Sequence, residues 1–297
     1  MIKTSLKFGI GLLIPFLLIS CSNDDKTDKK ENIVVNQEKK IEINTMFEVA
    51  FYGKPEHIQR YLDHGHDINQ EDANSKATPI YYAIQANQVA TIKPFISYGA
   101  DLSHKNNLGQ TPLHMAVTLG RTKIVDILLQ SDSDINAVDN NGLTPLIYAI
   151  KNNRESIAIK LIKKGAKLDV DNAYGVTPLH IALQQNSKSI IKLLLDKGVD
   201  INAQNKEGSS VLHYAVMKKR SKIIKVLISK GINVNLQDSS GSTALHIAVT
   251  NNDLEIVKLL LKNGADKSLK TSKDETALDI ANKSWRTDIK KVLEDEK

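Results

Sequence analysis

The chain has almost no cysteine, one in 297 residues. That excludes a disulfide framework, a cysteine-built zinc site and a paired redox motif. Aromatic residues make up 5%, with a single tryptophan. No run of 18 apolar residues occurs, so the pattern offers no ordinary membrane-spanning helix. No Gly-x-Ser-x-Gly, His-Glu-x-x-His or phosphate-loop string is present, which leaves no signal for those catalytic or nucleotide-binding devices. A strong charge imbalance is missing too: 40 Lys and Arg stand against 34 Asp and Glu, a net charge of +6. Lysine is interleaved with Asp and Glu along the chain, which reads as a solvated surface and gives no sign of a nucleic-acid partner. With 41% hydrophobic and 25% charged residues, the chain has the material for a packed core.

The N-terminus carries a first signal. Residues 1–7 are short and basic, and residues 8–19, FGIGLLIPFLLI, are apolar. That run is too short for a bilayer about 30 Å thick and suits a signal-peptide core. It closes on Leu18-Ile19-Ser20-Cys21, which resembles the bacterial lipobox. The resemblance implies lipidation of Cys21: diacylglycerol on its sulfur, cleavage before it, and acylation of the new amino group. Several acyl chains at about 0.8 kcal/mol per buried CH₂ give a stable membrane anchor. Ser22 follows the cysteine, which resembles the pattern for outer-membrane sorting in Gram-negative lipoproteins. Residues 1–20 are thus expected to be a lipoprotein signal peptide, and residues 21–43 a lipidated cysteine with a charged, flexible tether. Such a tether of about 22 residues spans about 25 Å root-mean-square and about 75 Å when stretched.

From residue 44 the chain repeats. Thr78-Pro79-Ile80-Tyr81, Thr111-Pro112-Leu113-His114, Thr144-Pro145-Leu146-Ile147 and Thr177-Pro178-Leu179-His180 start 33 residues apart. Ser210-Val211-Leu212-His213, Thr243-Ala244-Leu245-His246 and Thr276-Ala277-Leu278-Asp279 keep the step, and an alanine follows each motif two residues on. Thr suits a helix N-cap and Pro the first helical turn. Asn87, Gly120, Asn153, Asn186 and Asn252 lie nine residues after each Thr, as residues tolerant of the left-handed conformation that ends a helix. A second apolar helix follows, stopped by Gly99, Gly165, Gly198, Gly231 or Gly264.

This period and motif resemble the ankyrin repeat. The resemblance implies an all-α solenoid of stacked helix-turn-helix units with projecting β-turn or hairpin loops, over residues 44–297. Eight units are expected, starting near 44, 78, 111, 144, 177, 210, 243 and 276, the first and last being caps. Unit one looks degenerate, with Met46-Phe47-Glu48-Val49 at the motif and one extra residue in its turn. Pro94 inside a second helix predicts a kink or a late start. Asp132 replaces the usual Gly, and Lys267 replaces an aliphatic residue, which predicts a looser last junction. The motif histidines are expected to bond backbone in neighbouring turns. His64-Gly65-His66-Asp67 is read as a loop, with no metal site.

The resemblance implies protein binding without catalysis, no cofactor, no metal, an unidentified protein partner, membrane attachment only through lipid, and a monomer. The expected site is a groove of turn tips and first-helix ends: Leu108, Leu119, Leu143, Tyr174, Val176 and Met217, with Lys151 and Lys218 at the rim. An apolar centre with a polar rim is how protein interfaces are built. The expected location is the bacterial cell envelope, with the outer membrane favoured in a Gram-negative source. An immunity protein against an envelope-acting toxin, a surface-exposed host-interaction factor and an accessory subunit of an envelope enzyme are the alternative readings.

Overall fold

A hydroxyl residue in extended backbone opens every unit. Thr45, Thr78, Thr111, Thr144, Thr177, Ser210, Thr243 and Thr276 are the N-caps of eight seven-residue helices. Pro79, Pro112, Pro145 and Pro178 each take the first helical position, where a missing N–H is harmless. The computed structural model describes residues 45–295. The expected signal peptide, Cys21, the tether and Asn44 lie outside the described residues.

The described residues form sixteen α-helices in eight pairs. They are α1 (Met46–Tyr52) with α2 (Ile58–Asp63), α3 (Pro79–Gln85) with α4 (Val89–Ser97), α5 (Pro112–Thr118) with α6 (Thr122–Leu128), and α7 (Pro145–Lys151) with α8 (Glu155–Lys163). Then come α9 (Pro178–Gln184) with α10 (Lys188–Asp196), α11 (Val211–Met217) with α12 (Ser221–Ser229), α13 (Ala244–Thr250) with α14 (Leu254–Lys262), and α15 (Ala277–Lys283) with α16 (Thr287–Asp295). Each first helix packs on its own second helix and on the first helices before and after it, giving two helical layers.

The core is one continuous cluster between the layers. Leu113, Leu146, Leu179, Leu212 and Leu245 are all buried, as are the alanines from Ala50 to Ala281 that let helices approach closely. Burying one leucine contributes about 1.5–3 kcal/mol, and a lone pair of seven-residue helices is too short to hold itself together. Burial across unit boundaries therefore carries the fold. Among the described residues this core runs without a break from Met46 to Leu293.

Backbone bonds tie the projecting turns into a ladder. The N–H groups of Asn140, Ala173, Lys206, Ser239 and Ser272 donate to the carbonyls of Leu108, Asn141, Tyr174, Glu207 and Ser240, at 2.8–3.2 Å. Within each tip one side chain organises the turn: Asp139 Oδ1 accepts from Asn141 and Leu143, Asn172 Oδ1 from Tyr174 and Val176, and Asn205 Oδ1 from Glu207 and Ser209. Other asparagines bridge units lower down, as where Asn235 donates to Gly264 and accepts from Asp266.

Four departures read differently in three dimensions. Unit one is in phase, with Thr45 standing 33 residues before Thr78 and closing a capping box with Glu48. Its first turn ends on left-handed Gly53, one position earlier than the left-handed Asn87 of unit two, which offsets its longer tip. Pro94 neither delays nor breaks α4, which covers the same nine residues of its unit as α8. Asp132 does adopt the left-handed conformation (φ 55°), and α6 stops after seven residues instead of nine. Lys267 does not simply leave a gap: its Nζ donates to the Leu293 carbonyl at 2.8 Å, satisfying an orphan acceptor in the last turn of α16.

Gly208 and Gly231 separate two roles for a left-handed residue. Both have positive φ, +71° and +83°. A Cβ on Gly208 would lie 2.8 Å from the Ser239 backbone nitrogen, whereas one on Gly231 meets nothing within 4 Å. Gly231→Ala is expected to cost about 1 kcal/mol, the left-handed penalty alone. Gly208→Ala is expected to cost a further 1–3 kcal/mol or so, because it presses tip against tip. Urea unfolding of both variants measures this, and equal losses would mean the tips are not in tight contact.

Candidate partner-binding groove

The side chain two residues before each motif alanine gives the unit its lateral bond. His114 Nε2 bonds the Leu143 carbonyl at 2.9 Å, His180 that of Ser209 at 3.2 Å, His213 that of Ser242 at 3.0 Å and His246 that of Glu275 at 3.2 Å. In each case the acceptor precedes the N-cap of the next unit. Behind the ring, the N-cap N–H donates to Nδ1 at 3.0–3.3 Å. Nδ1 is therefore the acceptor and Nε2 carries the proton. Tyr81 reaches the matching carbonyl of Gln110 with its hydroxyl, at 2.7 Å. Having no ring nitrogen to offer, it leaves the buried Thr78 hydroxyl without a partner. Ile147 has no polar atom, so units four and five are joined without this bond.

The next residue along each first helix faces the tips. Tyr148 OH donates to Asp139 Oδ2 at 2.8 Å and accepts from Gln110 Nε2 at 2.7 Å. Tyr214 OH accepts from Asn205 Nδ2 at 3.1 Å. Together with Phe47, which meets Tyr82 edge-on at 5.0 Å, and the half-buried Met115 and Ile247, these residues line the inner corner between helices and tips. His114 stands edge-on to Tyr148 at 5.4 Å, and His180 to Tyr214 at 5.5 Å. Burial pushes the Tyr148 hydroxyl up to about 12, with the Asp139 carboxylate adding to the shift. The residues three and four positions further on share that helix face. Lys151 thus follows Tyr148, and Met217 and Lys218 follow Tyr214.

The row of motif histidines, the 33-residue step and the two helical layers together define the family. The family described as ankyrin repeats (3 copies) matches residues 46–139, 131–205 and 198–271. The chain belongs to the ankyrin-repeat family. Among solved structures it is similar to the ankyrin repeat domain of Bcl-3, described as a unique member of the IkappaB protein family. Identity is 33% and the TM-score 0.64, over 74% of this chain and 99% of that one. A comparison with curated proteins finds no match. Ankyrin repeats are in general protein–protein interaction scaffolds, and no catalytic family is indicated.

Within this ankyrin array the expected site residues divide. Leu108 and Tyr174 are exposed tip residues, 57% and 68% accessible, and Met217 is 49% accessible. Lys151 and Lys218 are exposed, and Leu119 is half-buried against the core. Leu143 and Val176 are core residues rather than tip residues, each 9% accessible. Both directly precede an N-cap, the position from which an apolar side chain folds back onto its helix. Leu108 and Tyr174 are two layers apart, with the polar Asn141 on the tip between them, so the tips do not carry one unbroken apolar patch. The tyrosines in the corner, Tyr82, Tyr148 and Tyr214, are groove residues that the motif reading passed over. Their signal was an aromatic at the same motif position in alternate units. His64 Nδ1 bonds the Arg60 carbonyl at 2.6 Å, His66 packs at 5.0 Å from Tyr61, and no metal-binding group of three residues gathers among the described residues.

Burial lowers all four motif histidines below the ordinary imidazole value, and His180 falls to about 4. Above pH 6.5 the rings are neutral whether the chain is folded or not. Below it the unfolded chain binds protons that the folded one refuses, so stability falls as pH drops. For His180 the loss is on the order of 3 kcal/mol by about pH 4, at about 1.4 kcal/mol per pKa unit. Thermal unfolding of the parent is expected to lose midpoint steadily over that window, and His180→Asn to show a shallower slope. Identical slopes would contradict the neutral, bridging ring.

Proposed function

We propose that the protein is a lipid-anchored, non-catalytic scaffold that holds a protein partner in the groove between its first helices and its tips. One observation carries the binding half of this reading. Tyr174, Leu108 and Met217, three of the exposed large apolar side chains among the described residues, stand on two tips and at the end of a first helix, the places that would line such a groove. Rigid aromatic anchors with lysine at the rim suit a protein surface. The anchoring half is supported by the sequence alone, where the only cysteine closes an apolar run of signal-peptide length. The lipid would place the array at a bacterial cell envelope, with Ser22 favouring the outer membrane in a Gram-negative source.

Tyr174→Ala and Met217→Ala are each expected to weaken partner capture by about 1 kcal/mol or more, with helical content unchanged. Crosslinking recovery of the partner from cells measures this, and equal recovery from variants and parent would contradict the groove. Cys21→Ala is expected to move the protein from the detergent phase to the aqueous phase in phase partitioning. Unchanged partitioning would contradict lipidation.

A further inference from the structure

Charges that alternate along the sequence separate in the folded array. Helices α8, α10, α12 and α14, with the residues capping their C-termini, carry eleven lysines, three acids and no arginine. All of these lysines except Lys160 are exposed. Lys192, Lys225 and Lys258 occupy the same place in three consecutive units, which repeats an ammonium group at about 10 Å, one packed layer. Ion pairs relieve little of this charge. Lys160 meets Asp126 and Lys230 meets Asp196, while Lys192, Lys225 and Lys258 make no ion pair among the described residues. The acids sit in the turns instead, where Asp134, Asp139 and Asp200 accept backbone N–H groups at 2.8 Å.

We propose that the second-helix face of units four to seven docks on an anionic phospholipid surface. Lysine places a mobile point charge on a flexible stem and imposes no fixed pairing geometry, which suits headgroups that diffuse within a plane. Each such charge acts within a Debye length of about 8 Å at physiological salt. A nucleic acid would call for stacking aromatics or arginine forks, and the only exposed large apolar residue of these four helices is Val226. The proposal rests on the lipid-anchor reading, which supplies the membrane. Docking by this face leaves the first-helix layer, and with it the groove, facing away from the bilayer.

The test uses residues 22–297, which contain the core of all the described residues but neither the apolar run nor Cys21, so its outcome is independent of lipidation. The protein is sedimented with vesicles of phosphatidylcholine, with or without phosphatidylglycerol. Binding is expected only to the anionic vesicles, and is lost near 1 M salt, where the Debye length is about 3 Å. Lys225→Glu with Lys258→Glu is expected to lose about tenfold or more in partitioning. Lys206→Glu with Lys273→Glu, an equal charge change on the tips, is expected to retain most of the binding. Circular dichroism checks that both variants fold. The proposal is overturned by no binding at low salt, by equal binding to neutral vesicles, by equal losses in the two variants, or by tighter capture of duplex DNA or single-stranded RNA.

Discussion

No unit of this protein can shield its own apolar faces from water. Seven-residue helices are too short to persist alone, and each pair has a core face on either side. Everything else in the structure answers to that constraint. The alanines let first helices approach, the leucines fill the space between layers, and the first and last described units, each packed on a single described neighbour, are the atypical ones. Thr45 with Glu48 closes one end, and Lys267 bonded to the Leu293 carbonyl secures the other.

Apolar burial alone would let layers slide past one another, and polar links fix their register. Histidine spans from its own N-cap to the carbonyl before the next one, tips bond to tips, and asparagine bridges the lower turns. These links act only between adjacent units. Ile147 removes one of them, so the junction of units four and five relies on packing and on the tip ladder. The tight tips also explain the glycine just before the last tip residue at Gly109, Gly175, Gly208 and Gly241, where a Cβ would press on the next tip, while Asp274 holds the matching left-handed place where no further tip follows among the described residues.

The repeat was legible because its causes are local. A Thr-Pro start, a left-handed Asn and a stop at Gly each act within a few residues, so their spacing in sequence is their spacing in space. The bridging role of the histidines, whose acceptors lie 29 residues on, was legible instead from the recurrence of the motif itself. What a residue faces across units was harder to read. Leu143 and Val176 follow a tip glycine and read as tip residues, yet the N-cap beside each turns them inward. Tyr148 and Tyr214 stand at a variable motif position, and their place in the groove depends on Asp139, Gln110 and Asn205 from tips nine or more residues away. The lysines are interleaved with acids in sequence. Only the stacking of second helices sorts them onto one face.

The array rests on neighbour-to-neighbour packing, with the Gln110–Tyr148 bond reaching one unit further. Deleting residues 144–176, unit four, joins Leu143 to Thr177 in phase and leaves every histidine link intact. Urea unfolding followed by circular dichroism should then show a folded array with one cooperative transition, shifted only by the loss of one unit. An unfolded chain, or separate transitions for the segments before and after the deletion, would contradict it.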